Sequence, residues 1–305
     1  MNTIPKSTAA HARLASPLSG VLLVLGAGIL WGTTGTAQSF SPDTLSPYWV
    51  GALRLLVAAL FFLAYATWLL GPAQLRCELS EFQWKQAICA GACMAGYNLT
   101  FFAGVKITGV AVGTALALGS GPIWAGLLQA VTGTRPAGHW WLGTLIAVAG
   151  GVLLVLGRST GMQSDPIGIL LCLTSGLTYA LYALLNKQLV QHASPAVTTL
   201  GVFSVGALLA LPAAGLQAGA LQITLSGWLV VGFLGVAATG IAYLLFTTGL
   251  RSISAASGVS LALMEPVTAF LLAIAVVGER PDALAYVGLA ALLAGLGIVI
   301  RAETR

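Results

Sequence analysis

Charge is what this chain has least of. Only 7% of its 305 residues are Asp, Glu, Lys or Arg, against about 25% in an ordinary soluble domain. A surface so poor in charge cannot be wetted all round, which excludes a water-soluble globule and leaves no room for a soluble catalytic or regulatory domain. The 13 basic residues give a net charge of +5, but they stand singly at the ends of apolar runs. A nucleic-acid partner needs a basic stripe or cluster, and neither exists. Histidine is scarce as well: His11, His139 and His192 fall at the ends of runs, so the clustered groups of an enzyme are missing and no enzymatic activity is expected. The four cysteines are Cys77, Cys89, Cys93 and Cys172, three of them inside apolar runs, where they read as small buried hydrophobes rather than a disulfide framework. Cys89 and Cys93 share a helix face with no histidine or carboxylate beside them, so neither metal nor cofactor is expected. A glycine-rich nucleotide-binding signature is also lacking, which argues against ATP-driven pumping.

Long hydrophobic runs are what the sequence has instead. They fall at about 18–38, 46–70, 83–105, 109–131, 138–156, 166–186, 195–214, 225–249, 255–277 and 282–301. Each approaches the roughly 20 residues a helix needs to cross a bilayer. Backbone groups have no water to bond in hydrocarbon, so each run must be helical, and runs this long that do not alternate exclude a closed barrel. The polar stretch 1–17, with Lys6 and Arg13, resembles the start of a signal peptide, but the run behind it is too long and lacks a cleavage site, so a retained span is expected. Lys6, Arg13, Arg76, Lys85, Arg135, Lys187, Arg251, Arg301 and Arg305 fall on one side if the first residue is cytoplasmic, and only Lys106, Arg158 and Arg280 on the other. Both termini are therefore predicted cytoplasmic, in a bacterial inner membrane.

An internal repeat orders the spans. A shift of 145 takes Phe101 to Phe246, Gly104 to Gly249, Leu116-Ala117-Leu118 to Leu261-Ala262-Leu263, Arg135-Pro136 to Arg280-Pro281, and Gly143 and Gly150 to Gly288 and Gly295. A shift of 148 takes Ser46-Pro47 to Ser194-Pro195. The chain thus divides into a tail (1–17), a first five-helix repeat (18–160), a second (161–301) and a short cytoplasmic tail (302–305). Five is odd, so the second copy enters the membrane from the opposite side. The expected fold is all-α: ten transmembrane helices as two inverted repeats, the architecture that supports alternating access.

Several strings resemble the drug/metabolite transporter superfamily and its ten-helix EamA-type exporters. They are Trp31-Gly32 in span 1, Pro47 with Arg54 and Ala58 in span 2, and Met264-Glu265-Pro266-Val267 with Ala269 and Gly278-Glu279 in span 9. The resemblance covers nearly the whole chain. One departure is Gly133-Thr134-Arg135, where the family often has glutamate in place of threonine. What the resemblance implies is export of small organic metabolites through a central cavity, with aromatic amino-acid exporters similar in size and pattern.

Candidate transport residues follow from what a membrane interior penalises. Glu265 lies near the middle of span 9, where an ionised carboxylate costs roughly 2.5–3.5 kcal/mol, so it is read as a proton-coupling site or a partner for a substrate ammonium, against a hydrogen-bonded structural carboxyl. Arg54, about two turns inside span 2, either snorkels to the interface or grips a substrate carboxylate with a bidentate fork. Trp31, Gln38, Tyr97, Asn98, Phe101, Trp124, Tyr179, Tyr182, Asn186 and Tyr243 supply rings and amides suited to a flat organic solute. Tyr48, Trp49, Trp68, Trp84, Trp140, Trp141 and Trp228, near helix ends, are expected to anchor at the interface. Gly28/Gly32 and Gly109/Gly113 are expected to admit close helix approach, and Pro122 and Pro266 to act as kinks or hinges. Spans 5 and 10, polar only at Thr144, are placed at the periphery, supporting the bundle or a homodimer. The alternatives that stay open are a multidrug carrier, a nucleotide-sugar or other phosphometabolite carrier, and a channel.

Overall fold

The computed structural model describes residues 16–38, 40, 45–156, 165–278 and 280–304; Glu279, Arg158 and the segment around Gly161 lie outside them. Ten helices are long and apolar enough to cross a membrane. They are α1 (Pro17–Gln38), α2 (Pro47–Ser80), α3 (Trp84–Thr108), α4 (Val110–Val131), α5 (Gly138–Leu156), α6 (Pro166–His192), α7 (Pro195–Ala218), α8 (Leu225–Gly249), α9 (Ala255–Val276) and α10 (Ala283–Thr304). No strand occurs among the described residues.

Local chemistry sets where these helices start and break. Asp165 caps α6 by accepting from the amides of Ile167 (2.8 Å) and Gly168 (3.3 Å), with Pro166 in the first turn where its missing N–H is harmless. Ser194, Thr224 and Ser254 cap α7, α8 and α9 in the same way. α2 bends at Gly71, whose φ of 74° suits only glycine, followed by Pro72. The apolar span therefore ends near residue 70, and the exposed turns up to Ser80 carry on in a new direction.

Helix contacts obey a twofold. α1 packs on α8 and α9, and α6, its equivalent, packs on α3 and α4; α2 meets α7, and α5 meets α10. The glycines show how close these contacts are. A Cβ on Gly104 would come within 2.6 Å of Cys172 Sγ and 3.2 Å of Gly168 O, and one on Gly249 within 2.8 Å of Gly20 O. Gly104 and Gly249 are equivalent at a shift of 145, and Gly20 and Gly168 at 148. Two copies of one glycine-to-glycine contact thus hold α3 to α6 and α8 to α1.

The most extensive helix pair is α5 with α10. A Cβ on Gly150 would lie 2.7 Å from Gly288 O, and one on Gly143 2.9 Å from Gly295 O. These four glycines are spent on packing within the chain, so they offer no face to a second copy. Gly150→Ala is expected to destabilise the detergent-solubilised protein by about 1–3 kcal/mol, because a backbone carbonyl cannot step aside. Gly297→Ala, with nothing within 4 Å of its Cβ, should leave the melting temperature in place; a thermal-shift measurement of the pair checks this.

Two sequence expectations need correction. Trp140 is no interfacial anchor: it is 3% exposed, and its indole donates to Ser257 Oγ at 3.0 Å, whereas Trp68 at 79% does face outward. Gly109 is not a packing residue either. It precedes α4 with φ 84° and nothing within 4 Å of its Cβ, so its glycine serves a turn. Gly28 and Gly32 do pack closely, against Met264, Glu265 and Thr268 of α9.

Candidate functional site

Halfway across the bundle, α1, α3, α6, α7 and α8 converge on a cluster of rings. Trp31 of α1 lies 4.9 Å from Tyr243, 5.4 Å from Phe246 and, edge-on, 6.4 Å from Tyr179. Tyr179 meets Tyr97 at 5.2 Å and Tyr182 at 6.1 Å, and Phe203 of α7 closes on Tyr243 at 4.7 Å. Trp31 and Tyr179 are equivalent at a shift of 148, so the contact between them lies at the meeting point of the repeats. Ring pairs at these separations prefer tilted and edge-to-face geometries, each adding roughly 0.5–1.5 kcal/mol beyond burial.

The two charged candidates flank this cluster. Arg54 on α2 and Glu265 on α9 lie within electrostatic range of each other and of the phenols of Tyr97 and Tyr243. Arg54 Nε is buried without a hydrogen-bond partner among the described residues. Glu265 remains partly accessible, although it lies midway along α9. There α9 is interrupted at Ala262-Leu263 and restarts at Met264, which puts Glu265 and Pro266 in the first turn of the second half. Tighter bonds bridge the break, from Leu263 N to Ser260 O (3.1 Å) and from Glu265 N to Ala262 O (2.9 Å). Pro266 therefore begins a helical segment rather than kinking a continuous one. Pro122 lies inside an α4 that stays helical around it.

The amides divide. Asn98 donates to Met94 O at 3.0 Å and leaves Oδ1 unpaired among the described residues; that oxygen faces α2 at Gly51, one turn before Arg54. Asn186 donates to Thr247 Oγ1 at 2.9 Å, joining α6 to α8. Phe101 extends the cluster from Tyr97 at 6.0 Å. Trp124 makes no ring contact with the cluster among the described residues, though its indole N–H is buried and unpaired. Gln38 lies at the last residue of α1, two turns beyond Trp31.

The two ends of the chamber differ. Trp31, Gly35 and Gln38 share a face of α1, yet Gly35 is exposed with nothing within 4 Å of its Cβ. Its equivalent on α6, Ala183, is fully buried, as are Tyr182 and Asn186 around it. Among the described residues, the Gln38 end is therefore the less covered, open one and the Asn186 end the covered, shut one.

Comparison with known proteins fits this architecture. The profile described as the EamA-like transporter family matches residues 18–156 and again 166–301. The chain belongs to the EamA-like transporter family. It is 37% identical to the uncharacterized transporter YwfM of Bacillus subtilis over 93% of this chain and 94% of that one. An uncharacterized transporter of Archaeoglobus fulgidus is 29% identical over 66% of this chain and 71% of its own. A solved structure described as "Crystal structure of protein" shares the fold at TM-score 0.81 and 21% identity, covering 92% of this chain and 96% of that one. This EamA-like transporter is thus a multi-pass membrane protein of ten spans, and its family and relatives are transporters rather than enzymes.

Some residues of the site escaped sequence reasoning. Phe246 carried a signal, since it is the repeat partner of Phe101. Phe203 carried none, because a phenylalanine in an apolar run points to lipid or chamber with equal ease. The eight residues Leu234–Ile241 of α8 wind as a π-helix, which re-aims Tyr243 just beyond it. Gly235 and Gly240 let that wider segment lie against Val57 and Phe61 of α2.

Proposed function

We propose that this transporter exports small zwitterionic metabolites, amino acids with aromatic or other hydrophobic side chains foremost, by alternating access across the bacterial inner membrane, with both termini cytoplasmic and proton coupling at Glu265. The observation that supports this most is the placing of Arg54 and Glu265 on different helices at the edges of one aromatic chamber. A fork-shaped cation can take a carboxylate, a carboxylate can take an ammonium, and the rings between them receive an apolar side chain. A phosphometabolite fits less well, since phosphate groups call for several basic side chains and Arg54 is the basic residue placed well inside a span. A carrier of lipophilic drugs is the second reading, favoured by Glu265 within electrostatic range of Tyr97 and Tyr179, where an organic cation would be held by charge and ring faces together.

Proteoliposomes separate the two. Counterflow of a labelled aromatic amino acid is expected to be saturable, to be stimulated by an inward proton gradient, and to be insensitive to the corresponding amine without its carboxyl. Competition by that amine at equal concentration would favour the drug carrier, and flux that rises linearly with concentration would favour a channel.

A further inference from the structure

The shut end of the chamber is held by side chains whose repeat equivalents, among the described residues, cannot hydrogen-bond. α10 runs on to Thr304, so Glu303 lies on a last helical turn packed under α9. Its carboxylate accepts from the amide of Ser254 (2.7 Å), from Ser254 Oγ (3.1 Å) and from Ser257 Oγ. Ser257 Oγ in turn accepts from Trp140 of α5 at 3.0 Å, and Gln129 of α4 accepts from the amide of Ala256 at 3.1 Å. Beside them, Lys187 of α6 donates to the carbonyls of Leu250 and Arg251 at the end of α8, within the electrostatic reach of Glu303. Asn186 and Thr247 bond one turn deeper. The N-terminus of α9 is thereby tied to α4, α5 and α10, and the C-terminus of α8 to α6.

The repeat supplies its own control. At a shift of 145, Ser254 and Ser257 correspond to Gly109 and Val112, Trp140 to Ala285, and Gln129 to Ile274. None of these four has a hydrogen-bonding side chain. At the open end, α4 starts without a side-chain cap, and Gly109 has nothing within 4 Å of its Cβ. In an inverted repeat each end passes through the geometry the other now shows, so opening the Asn186 end takes Ser254 to the uncovered position of Gly109 and strips it of Glu303.

We propose that Glu303 is a latch: by capping Ser254 and Ser257 it holds the Asn186 end shut and makes the conformer open toward Gln38 the resting state. The inference rests on the alternating-access reading above. It gives the two conformers unequal energies, because hydrogen bonds to a charged group are among the stronger ones and the repeat equivalents of Ser254 and Ser257, Gly109 and Val112, have no hydroxyl to make them. Under the proposed orientation, the empty carrier waits with its chamber facing away from the cytoplasm.

The test uses the full chain in oriented membranes, with Cys77, Cys89, Cys93 and Cys172 replaced and a single reporter at Gly35→Cys or Ala183→Cys. In the parent, a membrane-impermeant maleimide should label Gly35→Cys from outside far faster than Ala183→Cys from the cytoplasm. Adding Glu303→Gln is expected to shift the ratio of the two rates about tenfold toward Ala183→Cys. The double variant Ser254→Gly/Ser257→Val installs residues the first repeat already carries at these positions and should shift it the same way if Glu303→Gln does not fold. An unchanged ratio in folded variants overturns the latch, provided a transported amino acid or the corresponding amine still shifts the ratio in the parent. If neither the amino acid nor the corresponding amine shifts the ratio in the parent, it is alternating access that fails, and the latch falls with it.

Discussion

Arg54→Lys is expected to raise the KM for amino-acid efflux about 10- to 100-fold while the melting temperature of the protein holds steady. The substitution keeps the charge and most of the apolar stem, so it isolates geometry. An ammonium is a point donor, whereas a guanidinium offers two parallel N–H groups to the two oxygens of a carboxylate. Losing one charge-assisted hydrogen bond is worth roughly 1.5–3 kcal/mol, and each 1.4 kcal/mol is a factor of ten in affinity. Arg54 Nε is buried with no hydrogen-bond partner among the described residues, a costly condition that a bound anion would relieve. Its repeat equivalent is Val202, fully buried in α7, so the helix position itself packs without a charge. Transport in proteoliposomes with the parent KM would assign Arg54 to the interface and remove it from the site.

Which parts of this molecule could be read from sequence follows from what a membrane penalises. Spans are legible because hydrocarbon forbids unpaired backbone and charge, and the ten apolar runs correspond to the ten helices. The break at Gly71-Pro72 is legible for the same local reason: no other pair of residues stops a helix so firmly. Orientation of faces is another matter. In water an apolar stripe marks the core, but in lipid both faces are apolar, so Trp140 at a span end reads as an anchor and turns out buried against Ser257. Phe203 is hidden by the same ambiguity. The interruption at Ala262-Leu263 and the π-helical turns at Leu234–Ile241 depend on neighbouring helices re-satisfying the backbone, and no single run carries that information. Glu303 failed to register because it lies just past the apolar pattern of α10, where a polar residue normally means solvent.

The repeat conveys more than spacing, for it says which residues should be alike and so exposes those that are not. Trp31 and Tyr179 are both aromatic and meet. Gln38 and Asn186 are both amides, yet Asn186 is buried and bonded to Thr247 while Gln38 is half-buried at the open end. Where the chemistry is alike in the two halves and the burial differs, the difference reports conformation. Where the chemistry itself differs, as with Arg54 against Val202 and Glu265 against Ser120, packing of the fold did not need the charge in both copies. Both charged residues therefore stand outside the symmetry that builds the bundle.

Glu265→Gln should remove the stimulation of export by a proton gradient and leave a folded carrier that still exchanges substrate down a concentration gradient, with KM raised about 30-fold or more. Glutamine has the size and one acceptor oxygen of the glutamate, so contacts of α9 with Gly28 and Gly32 of α1, which are made by backbone and by Met264 and Thr268, are undisturbed. What it lacks is charge. A substrate ammonium facing a neutral amide loses its partner, and truncating one member of a desolvated charge pair typically costs 2–5 kcal/mol. It also lacks a proton to exchange. On the proposed reading, a proton arriving from the open end neutralises the same carboxylate that would hold an ammonium, so proton and substrate would compete for one group and cross in opposite directions. That competition is available because Glu265 stays partly accessible, in the first turn after the break in α9, at a depth where an ionisable side chain otherwise carries a steep penalty. Efflux assayed with and without an imposed pH difference, on parent and variant in the same lipid, separates the two roles. Unaltered dependence on the gradient in the Glu265→Gln variant would remove proton coupling from Glu265 while leaving the chamber and Arg54 as they stand.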